Sequence, residues 1–315
     1  MNHGGPALPD ESDGSTRRAV PRAPGEHRRS EPRWAAAAHR DPKGPSMRTR
    51  ILASLLTVSA LALAGCGGGS AAQDDPDAAI KVGATAQPHG EILEYVKENL
   101  ASEQDLKIEI ETFSDYNRPN AATANGSLDA NYYQHKPFLE EYKEERGGDL
   151  QWVAPVHLEP LGIYSKKIGS LDEVSDGDTV TIPNDPSNRG RALKLLQDKG
   201  LIELKKGSAE ETNVRDIVSN PKNLQIEEMK AAQIPRTLQD VRFAVVNGNY
   251  ALKANLDDPL ALESTENNPY VNGVVTNSEM RDDPRVDKLV DMLQSQEVKD
   301  FINEEYGGKS VIPAS

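Results

Sequence analysis

The sequence predicts an α/β protein built of two lobes. From residue 80 onward, short β-like runs alternate with helical periodicity, a rhythm that gives a largely parallel sheet covered by helices. The chain has 315 residues, long for one domain and enough to bury two cores. Polar and aromatic side chains gather just after five of the predicted strands, where open α/β sheets hold their ligands.

The elements follow in order. "IKVGAT" (80–85) is a strand, and the stretch 89–101 sets Ile92, Leu93, Val96 and Leu100 on one helical face. "LKIEIETF" (106–113) alternates apolar and polar residues with period two, and a short helix containing "NAATAN" follows. "LDANYY" (128–133) is strand-like and leads into a helix, "KPFLEEYKEERGG", ended by Gly147. The second series opens with "DTVTIPND" (178–185), a strand running into a helix with Asp185 at the N-cap and Pro186 at the first helical position. Ala192, Leu193, Leu195 and Leu196 form the buried stripe of that helix, and Gly200 can end it. "VRFAVV" (241–246) and "YVNGVVT" (270–276) are further strands, and helices close the chain around 285–306. No internal repeat is visible; the lobes are expected to connect near 155–165 and 250–270.

The first fifth of the chain is different. Residues 1–46 are rich in Pro, Arg, Gly and Ala without hydrophobic period, which reads as disorder and suggests an upstream start codon. "MRTRILASLLTVSALALAGCGGGS" then shows a basic head, an apolar run and a small-residue cleavage site, so 47–65 reads as a secretory signal peptide. Cys66 is the only cysteine, which excludes an intrachain disulfide. "LAGC" resembles a bacterial lipobox, in which the cysteine becomes the acylated first residue, and 66–79 then forms a flexible tether. After residue 65 the chain holds 26 Lys and Arg against 44 Asp and Glu, a net charge of −18 that argues against nucleic-acid binding. The expected object is an acidic protein lipid-anchored to the extracytoplasmic face of the cell membrane.

The strand-end clusters are Gln87 and His89; Asp115, Tyr116 and Asn117; Tyr133 and His135; Asn184, Asn188 and Arg191; and Asn247 with Asn249. Arg191 falls in the second turn of its helix, where it can grip a carboxylate bidentately, with Asn188 on the same face. A solvated helix-face arginine is the competing reading, and it is the one expected for Arg189. Tyr116 and Tyr133 are either pocket walls or plain half-buried strand-end aromatics; as walls they would favour a sulfur atom by about 0.3–1.5 kcal/mol. His135 is a ligand contact or a hydrogen-bonded structural histidine. Period two puts Tyr133 and His135 toward the cleft and Tyr132 on the other side, while Phe138 is expected in a helix face buried within the lobe. His89, His135 and His157 have no paired spacing of the HxH or HExxH kind, a poor metal signal. With no GxSxG, P-loop or GxGxxG, the chain is expected to be neither an enzyme nor a cofactor protein.

These stretches resemble the methionine-binding lipoproteins of ABC importers, the NlpA/MetQ family. The matching pieces include "VGAT" with "PHGEIL", "FSDYNRPNAA", "LDANYYQHKPFLE", "LEPLGIYSKKIGSLDE", "VTIPNDPSNRGRALKLLQDKGLIEL", "AVVNGNYAL" and "NPYVNGVVT", from residue 80 to the end. The resemblance implies a type II periplasmic-binding-protein fold, two α/β lobes around a ligand cleft: 80–160 plus 268–315 as lobe I and 161–267 as lobe II. It implies that Arg191 holds an α-carboxylate with Asn188 nearby, that Tyr116, Tyr133 and His135 line the side-chain pocket, and that Asn247 meets the polar end of the ligand. Position 133 is commonly Phe in the family and is Tyr here. The expected ligand is methionine, the L-form with the D-form as an alternative, and the expected partners are an ABC permease and ATPase. The alternatives are another apolar amino acid, a methionine-containing dipeptide, or a metal site on His89, His135 and His157.

Overall fold

The structure is a computed structural model that describes residues 77–207, 212–307 and 310–314. The expected disordered segment, the signal peptide, Cys66 and most of the tether lie outside the described residues. Among the described residues no helix is long and apolar enough to cross a membrane.

The first series runs β1 (Ile80–Thr85), α1 (Glu91–Asn99), β2 (Ile108–Phe113), α2 (Pro119–Ala124), β3 (Ala130–His135), α3 (Lys136–Arg146) and β4 (Leu150–Leu158). The second comprises β5 (Gly162–Tyr164), β6 (Thr179–Pro183), α4 (Pro186–Asp198), β7 (Glu203–Leu204), β8 (Ile217–Ser219), β9 (Gln225–Met229), α5 (Ile234–Thr237), β10 (Phe243–Val246), α6 (Gly248–Lys253) and β11 (Ala261–Leu262). The chain ends with β12 (Val271–Asn277), α7 (Pro284–Leu293), α8 (Gln296–Tyr306) and β13 (Ile312–Pro313).

Two lobes result, each around its own sheet. The larger sheet has the order β13-β4-β12-β3-β1-β2 and the other β11-β5-β10-β6-β9. Strands β2, β1 and β3 are mutually parallel, as are β10, β6 and β9. The expectation of a largely parallel sheet holds only for these triplets, each at one end of its sheet. Strand β12 runs antiparallel to both β3 and β4, and β5 runs antiparallel to β10 and β11. The reason is connectivity: β12 arrives from the other lobe rather than through a helical crossover, which is what enforces parallel pairing.

Packing explains the sequence preferences. Strand β1 is buried at five of its six positions, Lys81 excepted, as expected of a strand covered on both faces. One core joins β1, β3 and β12 to the apolar faces of α1, α7 and α8. The second gathers Ile163, Val180, Ile182, Phe243 and Val245 under Leu193, Leu195 and Leu196 of α4. Helix α4 starts as its sequence dictates, with the Asp185 carboxylate accepting from the Asn188 amide at 3.1 Å and Pro186 in the first turn. Gly273, in the bulged part of β12, marks a close approach: a Cβ there would lie 2.1 Å from the Ala154 carbonyl oxygen.

Candidate functional site

The carboxyl ends of β1, β3, β4, β6 and β10 converge on one small cavity. Tyr116, Tyr133, His135, Asn188, Arg191 and Asn247 all line it. So do His89 and Asn249, whereas Gln87, Asp115, Asn117 and Asn184 are not among its lining residues. Gln87 instead bonds Glu91, and Asp115 turns its carboxylate to Asn117.

Arg191 is only 4% exposed. Its Nε donates to the two carboxylate oxygens of Glu263 at 2.9 and 3.2 Å, and Nη2 reaches both Glu263 and, at 2.8 Å, the carbonyl oxygen of Glu159. Its Cζ stands 4.4 Å from the centre of the Tyr270 ring. Burial opposes its charge most, but Glu263 together with Tyr270 and Glu159 outweighs that and holds the guanidinium pKa above its usual value. Arg189, two residues away, points elsewhere and pairs with Glu228 at 3.3 Å.

A chain of amides crosses the cavity. Asn247 donates through Nδ2 to Asn188 Oδ1 at 2.9 Å, and Asn188 Nδ2 donates to Asp185 at 2.7 Å. His135 Nδ1 accepts from the Phe138 amide at 3.2 Å, so its proton sits on Nε2, which faces Asn188 Oδ1 at 3.2 Å. Burial first, and then Arg191, push the His135 pKa down to about 3, leaving a neutral donor. Asn247 Oδ1 is a buried acceptor without a hydrogen-bond partner among the described residues.

The apolar wall is aromatic. Ring centres of Tyr116 and Tyr133 are 5.9 Å apart, and Phe138 lies 5.7 Å from the first and 6.0 Å from the second. Phe138 therefore lines the cavity, contrary to expectation, and its neighbour Leu139 takes the place in the lobe core. The helix start just after His135 swings position 138 back over the strand end. Tyr116 donates its hydroxyl to Asn249 Oδ1 at 2.6 Å, tying the loop after β2 to α6 across the lobes. The hydroxyl of Tyr133 only grazes the Tyr116 carbonyl at 3.4 Å.

Residues that sequence reasoning missed are Gln134, Phe138, Glu159, Gly248 and Asn272. The signal for Glu159 lay in "LQWVAPVHLEP", an alternating run that is strand β4, ending in an acid at the mouth of the sheet. His157 Nε2 donates to Glu159 at 2.8 Å, and His89 Nε2 stands 3.2 Å from the same oxygen. One ligand atom from each of His89, His157 and Glu159 falls within 4.8 Å of the others, a set able to hold a divalent ion. His135 is not part of it, so the alternative trio of His89, His135 and His157 is not brought together.

Comparison with known proteins agrees with this fold. A family model, NlpA lipoprotein, matches residues 80–315. A relative from Escherichia coli (strain K12) named D-methionine-binding lipoprotein MetQ is 42% identical over 260 residues, covering 81% of this chain and 94% of the relative. Among solved structures, a nutrient-binding protein from Burkholderia cenocepacia bound to methionine is 42% identical with a TM-score of 0.72, covering 75% of this chain and all of that one. An ABC transporter periplasmic substrate-binding protein from Coxiella burnetii is 40% identical with a TM-score of 0.71, over 75% and 100% of the two chains. The fold is thus the two-lobed α/β architecture of periplasmic binding proteins, and the chain belongs to the NlpA lipoprotein family.

Proposed function

We propose that the protein is the substrate-binding component of an ABC importer and that it captures methionine for delivery to a permease and its ATPase. The observation that carries this reading is a buried arginine sharing one small cavity with an aromatic wall. Arg191 takes the ligand's carboxylate, with Asn188 and Asn247 beside it, and Tyr116, Tyr133 and His135 enclose the side chain. A thioether suits such a wall because sulfur packs well against ring edges. Binding rather than turnover is the activity, in keeping with relatives named for the ligand they bind. The lobes that close are residues 80–160 with 268–315, and 161–267; closure is a population shift driven by contacts available only in the closed form. Acylated Cys66 anchors the chain to the outer face of the cell membrane, with the stretch to residue 79 as tether.

The test is calorimetric titration of residues 71–315, stripped of co-purified ligand by partial unfolding, with L-methionine. Saturable one-to-one binding is expected. D-methionine, methionyl dipeptides and leucine then compete in series, and a chain that ignores methionine but takes another of these ligands refutes the assignment. The anchor is tested separately: Cys66→Ser should move the protein from the membrane fraction to the soluble one.

A further inference from the structure

We propose that Glu159, held in place by His89 and His157, is the anion that receives the ligand's ammonium group, so that the cavity selects compounds with a free, ionised α-amino group. This rests on the amino-acid reading of the cavity given above and adds the group that recognises the amine.

Among the described residues Glu159 is the only carboxylate in the fully buried class, at 4% exposure. A buried carboxylate normally answers to a cation. Here its close partners are two imidazoles and the Asn249 amide N–H. The nearby cation, Arg191, is paired with Glu263 and bonds Glu159 through its backbone carbonyl and not its carboxylate. Two acidic side chains, Glu159 and Glu263, thus share one guanidinium, and Glu159 is the one that lines the cavity.

The surroundings fix that charge rather than dissipate it. Each imidazole is oriented from its far side, His89 Nδ1 by the Thr85 hydroxyl at 2.7 Å and His157 Nδ1 by the Tyr132 hydroxyl. The backbone of Gly248 lies against the same side chain so closely that a Cβ there would sit 2.7 Å from Glu159 Cβ. One unfilled acceptor remains in the cavity wall, Asn247 Oδ1. An ammonium needs several acceptors at once, and Glu159 with Asn247 Oδ1 provides two. The Arg191 guanidinium bonds the carbonyl of the residue whose carboxylate is in question, so the two opposite charges sit side by side on one wall. That adjacency matches the head of an α-amino acid, whose carboxylate and ammonium share one carbon.

The experiment is a thermodynamic cycle between protein and ligand. Wild type and Glu159→Gln are each titrated with L-methionine and with its des-amino analogue, 4-methylsulfanylbutanoate, with circular dichroism confirming the fold. Glu159→Gln is expected to weaken methionine binding roughly 100-fold while leaving the analogue within about threefold. Glu159→Asp, which keeps the charge on a shorter arm, should fall between and serves if the glutamine variant does not fold. Equal loss for both ligands, or no loss for methionine, overturns the proposal. So does stoichiometric Co²⁺ binding with visible d–d bands that vanish in Glu159→Gln, because the carboxylate would then have a metal as its partner. If wild type takes leucine instead of methionine, the methionine assignment fails alone, and leucine against 4-methylpentanoate completes the same cycle.

Discussion

Replacing Glu263 with alanine removes the carboxylate that neutralises Arg191 while leaving the guanidinium where it is, 4% exposed. Breaking a buried pair from one side costs about 3–5 kcal/mol, because the remaining charge stays desolvated. Glu263 itself is 9% exposed and sits near the rim, so the lower end, about 3 kcal/mol, is the appropriate figure. The same carboxylate accepts from the Leu161 amide at 2.9 Å, and that bond is lost too. For a folded part of this size, each kcal/mol lowers Tm by roughly 2–4 °C, so Glu263→Ala should melt about 6–12 °C below wild type. Glu263→Gln keeps the shape and the acceptor for Leu161 and removes only the charge, and should lose about half as much. Urea unfolding of the ligand-free protein at neutral pH gives the number directly. An alanine variant within about 0.5 kcal/mol of wild type would mean that Arg191 does not depend on Glu263, and the electrostatic account of the site would fall with it.

Four further outcomes follow from the same geometry. Arg191→Ala should reduce methionine affinity by at least about 100-fold in calorimetry, since it removes a charge-assisted bidentate donor from a dry site. Tyr133→Phe should leave affinity within about threefold, because its hydroxyl makes only the 3.4 Å contact with the Tyr116 carbonyl; a large loss would place that hydroxyl on the ligand. Gly273→Ala should sharply reduce the yield of folded protein, since the new methyl would meet the Ala154 carbonyl oxygen at 2.1 Å and no backbone there can yield cheaply. Acid should destabilise the protein through its buried histidines. His89, His135 and His157 have folded pKa values near 4, 3 and 3 against about 6.5 when unfolded, so the unfolded chain binds more protons between those limits and stability falls as pH drops from about 6.5. Glu159 and Glu141, both raised by burial, act with the opposite sign, stabilising the fold on the acid side and weakening it as pH rises. His157→Gln should flatten the acid limb of the stability curve by up to one proton.

Local signals carried well wherever chain direction and chemistry were coupled. Asp185-Pro186 marked the start of α4, which fixed the side of the helix on which Asn188 and Arg191 stand. Alternation in β3 separated Tyr133 and His135, on the cavity, from Tyr132, whose hydroxyl meets His157 in the core. What stayed hidden depended on pairing. Strand β4 alternates, but Pro155 within it counts against a strand, and without it neither Glu159 nor the role of His157 could be located. The antiparallel entry of β12 is equally invisible locally, since its partners lie more than a hundred residues upstream. Glu263 had no signal at all: it lies just beyond the two-residue strand β11, and only the fold carries it to Arg191.

Strand β12 also sets an order of events. It is wedged between β3 and β4, and both of those leave the ribosome more than a hundred residues before it. The sheet that begins first in synthesis is therefore completed last, after the whole of the second sheet has been made. Until residue 277 emerges, β3 and β4 present unpaired facing edges. A nascent or truncated chain lacking that strand lacks the seam that joins the first sheet.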